Sequence, residues 1–348
     1  MDREIIANIK GLAIDMINEA GSGHPGIALG AAPILYTLYS KHLNISTSDS
    51  KWLNRDRFVM SAGHGSALLY ATLFYAGYDL LIDDLKCFRK LDSRTPGHPE
   101  YGKTDGVDAS TGVLGQGFAT AVGMALAEKM LEAKYIIPSS SRIERDRSLI
   151  NYNVYCLCSD GDMMEGVTNE AASLAGNLNL DNLIVLYDSN NVTLDGDTSI
   201  TFTEKVLDKF KAMGWYTDIV KNGNDISAID KAIDKAKGSG MPSIIEIKTI
   251  LGDGSLLAGS KEVHGKVLEE KDVEQLKQKL GLPQEKFYVN DEAVKDFRKK
   301  LLDRSSYKYE EWSHNYKIYV DEILKGDRRK IDYLFKNEVN IDLLRLYW

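Results

Sequence analysis

Residues 153–162 read NVYCLCSDGD, and residues 182–191 read NLIVLYDSNN. Each stretch is a nearly continuous apolar run that ends in polar residues, which is typical of a strand buried on both faces of a parallel sheet. Along the chain such strands alternate with helical segments of about 10 to 15 residues. We therefore predict a doubly wound, mostly parallel α/β sheet with helices on both faces.

The alternating pattern changes near residue 270. We predict one α/β domain over residues 1–270 and a helical C-terminal extension over residues 271–348, which is charged and carries several aromatic side chains. Two short basic clusters in the extension, FRKKLLDR at 297–304 and KGDRRK at 325–330, are predicted to be solvated helix faces.

The composition is that of an ordinary globular protein, with 348 residues, 43% hydrophobic and 27% charged. The net charge of −8 and the mixed charge pattern argue against a nucleic-acid-binding face. No apolar run approaches the ~18 residues of a membrane span. Three cysteines, Cys87, Cys156 and Cys158, argue against a disulfide framework and favour a reducing compartment. We expect a cytoplasmic protein that binds neither nucleic acid nor membrane.

Polar residues follow the two quoted strands where each strand ends. Asp160 and Asn190 lie thirty positions apart, so neighbouring strands would bring both side chains to the same sheet edge, where α/β proteins bind ligands. Their oxygens suit Mg²⁺, and Gly161 would let a phosphate approach the backbone at the start of the following helix. The alternative is that Asp160 caps that helix and Asn190 makes a turn. Asp162 is predicted to face solvent.

Four of the six histidines lie in glycine or proline turns or just after the last core strand: His24, His64, His98 and His264. Imidazoles in such turns suggest a cleft in which they recognise hydroxyl groups and transfer protons. The alternative is ordinary turn structure with incidental histidines. His42 is predicted to interact with a helix C-terminus, and His314 to be on the surface.

The stretch STGVLGQG at 110–117 begins a helix and consists mainly of small residues. It would let the backbone lie against a flat ligand and add N–H donors. It does not match the dinucleotide fingerprint, and the chain contains neither a phosphate-binding G-x-x-x-x-G-K-[ST] loop nor a nucleophile elbow.

Taken together, these residues resemble transketolase, in the N-terminal, diphosphate-binding half of that family. The motifs that carry the resemblance, in family order, are GSGHPG, DRFVMSAGHGSALLYATL, TPGHPE, STGVLGQGFATAVGMA, SDGDMMEGVTNEAASLAGNL, YDSNNVTLDG and GSLLAGSKEVHG. A looser match, YEEWSHNYKIY at 309–319, is similar to the family's interdomain linker.

The resemblance implies a thiamine diphosphate-binding fold that holds thiamine diphosphate with Mg²⁺ (or Ca²⁺). The positions that match the metal ligands are Asp160, Asn190 and the backbone carbonyl of Val192. The positions that match cofactor contacts are His64, Gly112, Val113, Leu114, Gly161, Asn190 and Glu165. His24 and His98, with His264, match sugar-binding and catalytic positions. Glu165 and Glu170 match acids that connect the cofactor sites of a dimer; the alternative for both is a solvated helix face.

The chain departs from the family pattern in three ways. Ser159 replaces a glycine, and Lys261 stands where many members have a histidine, which leaves open whether Lys261 or His264 faces the cofactor. The family's central pyrimidine-binding domain and its C-terminal domain have no counterpart in this sequence.

The resemblance therefore implies an N-terminal transketolase component. It would anchor the cofactor for transfer of a two-carbon ketol unit from ketose phosphate to aldose phosphate, as in the pentose phosphate pathway. Turnover would need a pyrimidine-binding domain or C-terminal subunit, and self-association is expected. The alternatives are a non-catalytic or regulatory module, or a component of a related enzyme such as deoxyxylulose phosphate synthase or phosphoketolase.

Overall fold

A computed structural model describes residues 1–138, 147–193 and 196–332 of the protein. Its strands are β1 Arg57–Met60, β2 Ile136–Ile137, β3 Arg147–Ser148, β4 Val154–Ser159, β5 Leu183–Ser189, β6 Val192–Thr193, β7 Gly196–Asp197, β8 Tyr216–Val220 and β9 Ser243–Lys248. Five of them form a parallel sheet in the spatial order β1-β4-β5-β9-β8, while β2–β3 and β6–β7 are short antiparallel pairs. The predicted parallel sheet is confirmed.

Helices connect the strands and cover the sheet. They are α1 Asp2–Ala20, α2 Pro25–Gly30, α3 Ala32–Thr37, α4 Ser66–Ala76, α5 Ile82–Lys86, α6 Gln116–Lys134, α7 Asp160–Met164, α8 Gly166–Asn177, α9 Val206–Ala212, α10 Ile226–Lys237, α11 Glu262–Gly265, α12 Glu270–Leu280, α13 Asp291–Ile318 and α14 Arg329–Asp332. None of the helices in the described ranges is long and apolar enough to cross a membrane.

Successive side chains of β4 explain why helices lie on both faces. Tyr155 and Leu157 pack into a core formed largely with α1 to α4 and α10, whereas Val154, Cys156 and Cys158 pack into a second core with α6, α8 and α9. All five side chains are buried, as a strand covered on both faces requires. The two thiols share one face, as predicted, with their sulfur atoms 3.5 Å apart.

The carboxyl ends of the central strands finish at nearly the same level. Ser159 at the end of β4 is paired with Asp188 on β5, and Ser189 at the end of β5 is paired with Lys248 on β9. Because the strands are parallel, the turns that follow them lie along one edge of the sheet. This edge is where the candidate functional residues are found.

The helical extension packs against the α/β domain. Phe297 and Leu301 of α13 are buried in the same core as α1 to α4. The basic cluster at 297–304 is therefore not simply a solvated face, and that prediction was wrong for Arg304. Its guanidinium donates hydrogen bonds to the backbone carbonyls of Tyr39, Ser40 and Leu43.

The division at residue 270 stays a prediction, because a shared core does not by itself place a domain boundary. Residues 333–348 of the predicted extension lie outside the described residues. So do Leu194 and Asp195 of the YDSNNVTLDG motif.

Candidate functional site

Asp160 follows β4 directly and is held by the end of β5. Its side chain is only 3% exposed. One carboxylate oxygen accepts a hydrogen bond from the hydroxyl of Tyr187 at 2.5 Å, and the other accepts from the backbone N–H groups of Asn190 and Asn191 at 3.1 and 3.0 Å. Burial raises the pKa of Asp160, and these donors oppose that rise. The structure thus brings Asp160 and Asn190 together at the sheet edge.

Asn190 is itself fixed by its neighbours. Its side-chain oxygen accepts from the backbone N–H of Val192 at 3.0 Å, and its amide nitrogen donates to Asp188 at 3.3 Å. No group of three or more His, Cys, Asp or Glu side chains in the described residues could hold a metal ion. A cation at this turn would therefore rely on a carboxylate, a carboxamide and a backbone carbonyl. These hard oxygen donors fit Mg²⁺, which fills its remaining positions with water and phosphate oxygens.

Asp162 is buried, and the prediction that it faces solvent was wrong. Its side chain is 0% exposed. One oxygen accepts from the hydroxyl of Ser61 at 2.6 Å and the N–H of Gly115 at 2.8 Å, while the other accepts from the N–H and hydroxyl of Ser159 at 2.8 and 3.0 Å. Burial raises the pKa of Asp162 despite these donors. This carboxylate therefore ties together the ends of β1 and β4 and the start of α6.

The spacing of Ser159 and Asp162 contains a signal that could have revealed this role. A serine followed three positions later by an acidic residue at a helix start is a capping-box pattern. Ser159 has an extended backbone with φ −114°, so the serine causes no strain where the family has glycine. The helical segment that follows β4 is divided into two helices, α7 and α8, with Glu165 at the break.

The four turn histidines converge on one another. Ring centroids are separated by 5.2 Å for His24 and His64, 5.6 Å for His24 and His264, 5.4 Å for His64 and His264, and 6.4 Å for His24 and His98. His64 lies just after strand β1, and His264 lies on α11, the first helix after strand β9. We call these four residues the histidine cluster. His42 is buried 2.9 Å from Asp230 instead, and His314 is exposed.

The histidine cluster is neutral at physiological pH. Burial, with His264, Arg89 and His98 nearby, lowers the pKa of His24 to about 4. The pKa of His64 is held well below its usual range by burial and by the other histidines. Burial also lowers the pKa of both His98 and His264. Each ring therefore offers one nitrogen as a donor and one as an acceptor.

Arg89 is a candidate site residue that the sequence analysis missed. Its guanidinium lies 3.4 Å from the hydroxyl of Ser22 and contributes to the lowered pKa of both His24 and His98. It has a left-handed backbone with φ 62°. No spacing or composition signal distinguishes it in the sequence, because it is one of several basic residues near a loop.

Several buried polar atoms around the histidine cluster lack a hydrogen-bond partner among the described residues. They are the Nδ1 atoms of His24 and His264, Oγ1 of Thr111 and Nε of Arg89. Buried polar atoms are nearly always paired in folded proteins, so four such atoms in one region require an explanation. A polar ligand between them would provide the missing hydrogen bonds.

The stretch from Thr111 to Gly115 connects the histidine cluster with the Asp160 turn. Gly112 has φ 152°, and a Cβ there would lie 3.3 Å from the ring of His98. A Cβ on Gly161 would lie 2.8 Å from the side chain of Leu114. Glycine at these two positions thus allows residues 111–115 to lie close to His98 at one end and to the Asp160 turn at the other. Val113, in the middle of this stretch, is 65% exposed.

The remaining predicted site residues lie near the same edge. His264 belongs to the histidine cluster, whereas Lys261 is exposed, so the geometry favours His264 as the group that faces a ligand. Glu165 and Glu170 are exposed at the break between α7 and α8 and on α8. Their environment is compatible with a protein contact and with a solvated helix face.

The sequence and the structure are both similar to known transketolases. A family model described as "Transketolase, thiamine diphosphate binding domain" matches residues 1–332. The chain is 46% identical to transketolase from Bacillus subtilis over 325 residues, covering 92% of this chain and 48% of the relative. It is 46% identical to transketolase from Aquifex aeolicus over 320 residues, covering 92% and 45%.

Solved structures agree. A transketolase from Pichia stipitis superimposes with a TM-score of 0.87 at 39% identity, covering 96% of this chain and 47% of the other. Transketolase from Leishmania mexicana gives 0.86 at 40% identity, covering 96% and 48%. The chain thus spans just under half the length of each relative. It belongs to the transketolase family, as a thiamine diphosphate-binding domain of that family.

Proposed function

We propose that this chain is the N-terminal component of a transketolase-type transferase and anchors the diphosphate and cation of thiamine diphosphate. The observation that carries the proposal is the arrangement along one sheet edge. The histidine cluster, with its unpartnered buried atoms, is joined by residues 111–115 to the turn that holds Asp160 and Asn190. A sugar-binding region and a cation–diphosphate region would then adjoin each other.

In this proposal the cation is Mg²⁺ (or Ca²⁺), and its ligands are Asp160, the side-chain oxygen of Asn190 and the carbonyl of Val192. The donor set of hard oxygens supports this choice. The diphosphate would lie near the remaining cofactor-binding residues: His64, Gly112, Val113, Leu114 and Gly161. Glycine at 112 and 161 supports a close approach between backbone and ligand.

His24, His98 and His264 are proposed to bind sugar phosphate substrates. Neutral imidazoles can both donate to and accept from sugar hydroxyls, and the unpartnered Nδ1 atoms of His24 and His264 are placed to do so. His24 would in addition move a proton at a substrate hydroxyl. One solved Pichia stipitis transketolase, 39% identical to this chain, is a complex with sedoheptulose 7-phosphate.

Turnover would require a partner. Thiamine diphosphate, when bound, supplies an electron sink for a two-carbon carbanion, and the protein supplies binding and orientation. The chain spans about half of its relatives, so the rest of the site would come from a pyrimidine-binding domain or a C-terminal transketolase subunit. We further propose self-association, with Glu165 and Glu170 near the contact, and a reducing cytoplasmic location, for which three free cysteines are the support.

Binding of the cofactor to the full chain is the first test. Isothermal titration with thiamine diphosphate and Mg²⁺ should show binding that is lost in Asp160→Asn and kept in His314→Asn, whose side chain is exposed. Absence of cation-dependent binding by the wild-type chain would contradict the proposal that it anchors the cofactor.

Activity of a reconstituted enzyme is the second test. The chain would be mixed with a separately expressed C-terminal half of the Bacillus subtilis transketolase, and ketol transfer from ketose phosphate to aldose phosphate would be assayed. Association without any transfer would favour the non-catalytic or regulatory module. Activity only with pyruvate as donor would favour a component related to deoxyxylulose phosphate synthase.

A further inference from the structure

We infer that Tyr187 is a positioning residue for Asp160, whose hydroxyl holds the carboxylate in an orientation that favours Mg²⁺ over the larger Ca²⁺. The inference rests on the proposed function, in which Asp160 is a cation ligand. It assigns a role to a side chain on β5 that would itself contact neither the cation nor the cofactor.

Tyr187 is rigidly placed. It lies on β5 between Cys158 of β4 and Glu246 of β9, and its side chain is 3% exposed in the core below the sheet edge. Its hydroxyl is 2.5 Å from Oδ1 of Asp160. Because the ring is packed on the sheet, the hydroxyl cannot turn away without disturbing the core.

The other oxygen of Asp160 is held from the same segment. Oδ2 accepts from the N–H groups of Asn190 and Asn191, in the turn that directly follows β5. Strand β5 and its turn therefore fix both carboxylate oxygens and also carry Asn190. Two proposed cation ligands are thus held in a defined relation to each other by one short stretch of chain.

Lys248, a nearby cation, is engaged elsewhere. Its ammonium group is 2.6 Å from Glu246 and 2.9 Å from the hydroxyl of Ser189. A cavity of about 300 Å³ is bordered by Asp160, Tyr187, Glu246 and Lys248. Without the Tyr187 hydroxyl, Oδ1 would face this open space, and the carboxylate would be freer to rotate.

The hydroxyl of Tyr187 is a phenolic O–H donor, and it donates to Oδ1 of Asp160. A donor of this kind orients a ligating carboxylate, and loss of such partners typically weakens metal binding by about 10- to 100-fold. Mg²⁺ requires near-ideal octahedral geometry, whereas Ca²⁺ accepts flexible coordination. Freeing the carboxylate should therefore weaken Mg²⁺ binding more than Ca²⁺ binding.

The test is a comparison of cation affinities in Tyr187→Phe and wild type. Mn²⁺ binding to the full chain with thiamine diphosphate would be followed by electron paramagnetic resonance, with Mg²⁺ and Ca²⁺ as competitors. We expect Mg²⁺ affinity to fall about 10-fold or more, and Ca²⁺ affinity to fall by a smaller factor. Thermal unfolding by circular dichroism would verify that the variant is folded.

Tyr155→Phe is the matched control. Tyr155 is a buried tyrosine on the neighbouring strand β4, and its hydroxyl has no hydrogen-bond partner among the described residues. The same atom is removed, so cation affinities should match wild type. A second variant, Asp160→Glu, moves the carboxylate away from Tyr187 and should also lose the preference for Mg²⁺.

The outcomes separate the inference from the proposed function. If wild type does not bind Mn²⁺ with thiamine diphosphate, both fail. If wild type binds and Tyr187→Phe keeps the wild-type affinities, or loses Mg²⁺ and Ca²⁺ affinity equally, the positioning role alone is wrong. A wild-type ratio of Mg²⁺ to Ca²⁺ affinity in Asp160→Glu would contradict it independently of the Phe variant.

Discussion

The imidazole rings of His64 and His264 stack, with centroids 5.4 Å apart and planes inclined by 26°. Two hundred positions separate these residues in the chain: His64 lies just after β1, and His264 lies on the short helix α11. Both rings are neutral because burial lowers the pKa of each, so the stack carries no charge repulsion at neutral pH. Acidification must therefore disturb this contact and its neighbours.

Replacing His24 should make stability less sensitive to acid. The pKa of His24 is about 4 in the folded chain and 6.5 ordinarily, so between these values the unfolded chain binds a proton that the folded chain does not. The stability that the neutral, buried ring of His24 gives the folded chain is complete above pH 6.5 and is lost as the pH falls through 4. For this half-buried ring we estimate about 2 kcal/mol. Urea unfolding at a series of pH values should show a shallower acid dependence in His24→Asn. His314→Asn, an exposed control, should retain the wild-type slope, and an unchanged slope in His24→Asn would refute the prediction.

Asp162→Ala should destabilise the chain strongly. The substitution leaves buried donors of Ser61, Gly115 and Ser159 without their acceptor. We expect the free energy of unfolding to fall by about 3 kcal/mol, measured by urea denaturation. Glu165→Ala, at an exposed acid three positions away, should change it by less than about 0.5 kcal/mol. Similar effects in the two variants would show that the buried hydrogen bonds of Asp162 do not stabilise this edge.

Lys277→Met should test whether the helical extension folds together with the α/β domain. Lys277 of α12 forms a buried ion pair with Asp15 of α1 at 2.8 Å, and both side chains are 4% exposed. Removing the lysine leaves the buried carboxylate of Asp15 without its counter-charge, which should lower the free energy of unfolding by about 3 kcal/mol or more. If the two parts fold together, urea should unfold the variant in one cooperative transition. Adding Asp15→Leu should recover much of that loss.

Lys286→Met is the control for this ion pair. Lys286 pairs with Glu19 at the surface, at 3.6 Å, and its loss should be nearly neutral. A separate, early transition in Lys277→Met that leaves the main transition unchanged would indicate an extension that unfolds independently.

Two glycines in neighbouring helices should respond to alanine in opposite directions. A Cβ on Gly176 of α8 would lie 1.8 Å from the carbonyl oxygen of Met213, whereas Gly123 of α6 has nothing within 4 Å. Gly176→Ala should destabilise by about 2 kcal/mol or more because backbone must move. Gly123→Ala should stabilise by about 0.5–1 kcal/mol because it lowers the entropy of the unfolded chain. Thermal and urea unfolding would measure both changes. A change of the same sign in the free energy of unfolding of the two variants would contradict this prediction.

Leu174→Asp should weaken self-association. Val167 and Leu174 on α8, and Leu178 just after it, expose apolar side chains near Glu165 and Glu170. Exposed apolar groups in one area indicate a protein contact. Sedimentation velocity at micromolar concentration should show dimers for wild type and a shift to monomers for the variant. Leu302→Asp, at a similarly exposed leucine on α13, should leave the distribution unchanged. If both variants behave alike, the contact lies elsewhere.

The sequence by itself determined the sheet and the grouping of the main site residues. Strands with no polar face must be covered on both sides, which requires parallel strands and connecting helices. The carboxyl ends of parallel strands lie at one edge of the sheet. Asp160 and Asn190, each placed just after one of two neighbouring strands, therefore lie close together. His64 also follows a strand, β1, whereas His24 and His98 lie in loops that follow helices α1 and α5.

Only the tertiary structure decided which charged side chains are buried. Asp162 is covered by Ser61 and Gly115, and Arg304 binds backbone carbonyls of residues 39–43, which follow α3; all of these partners are distant in sequence. Arg89 joins the histidine cluster through a loop conformation with no local signature. The burial of a charge depends on which remote backbone groups are free to pair with it. The residues next to a charged side chain do not reveal those partners, whereas a run of apolar residues in the sequence is enough to indicate a buried strand.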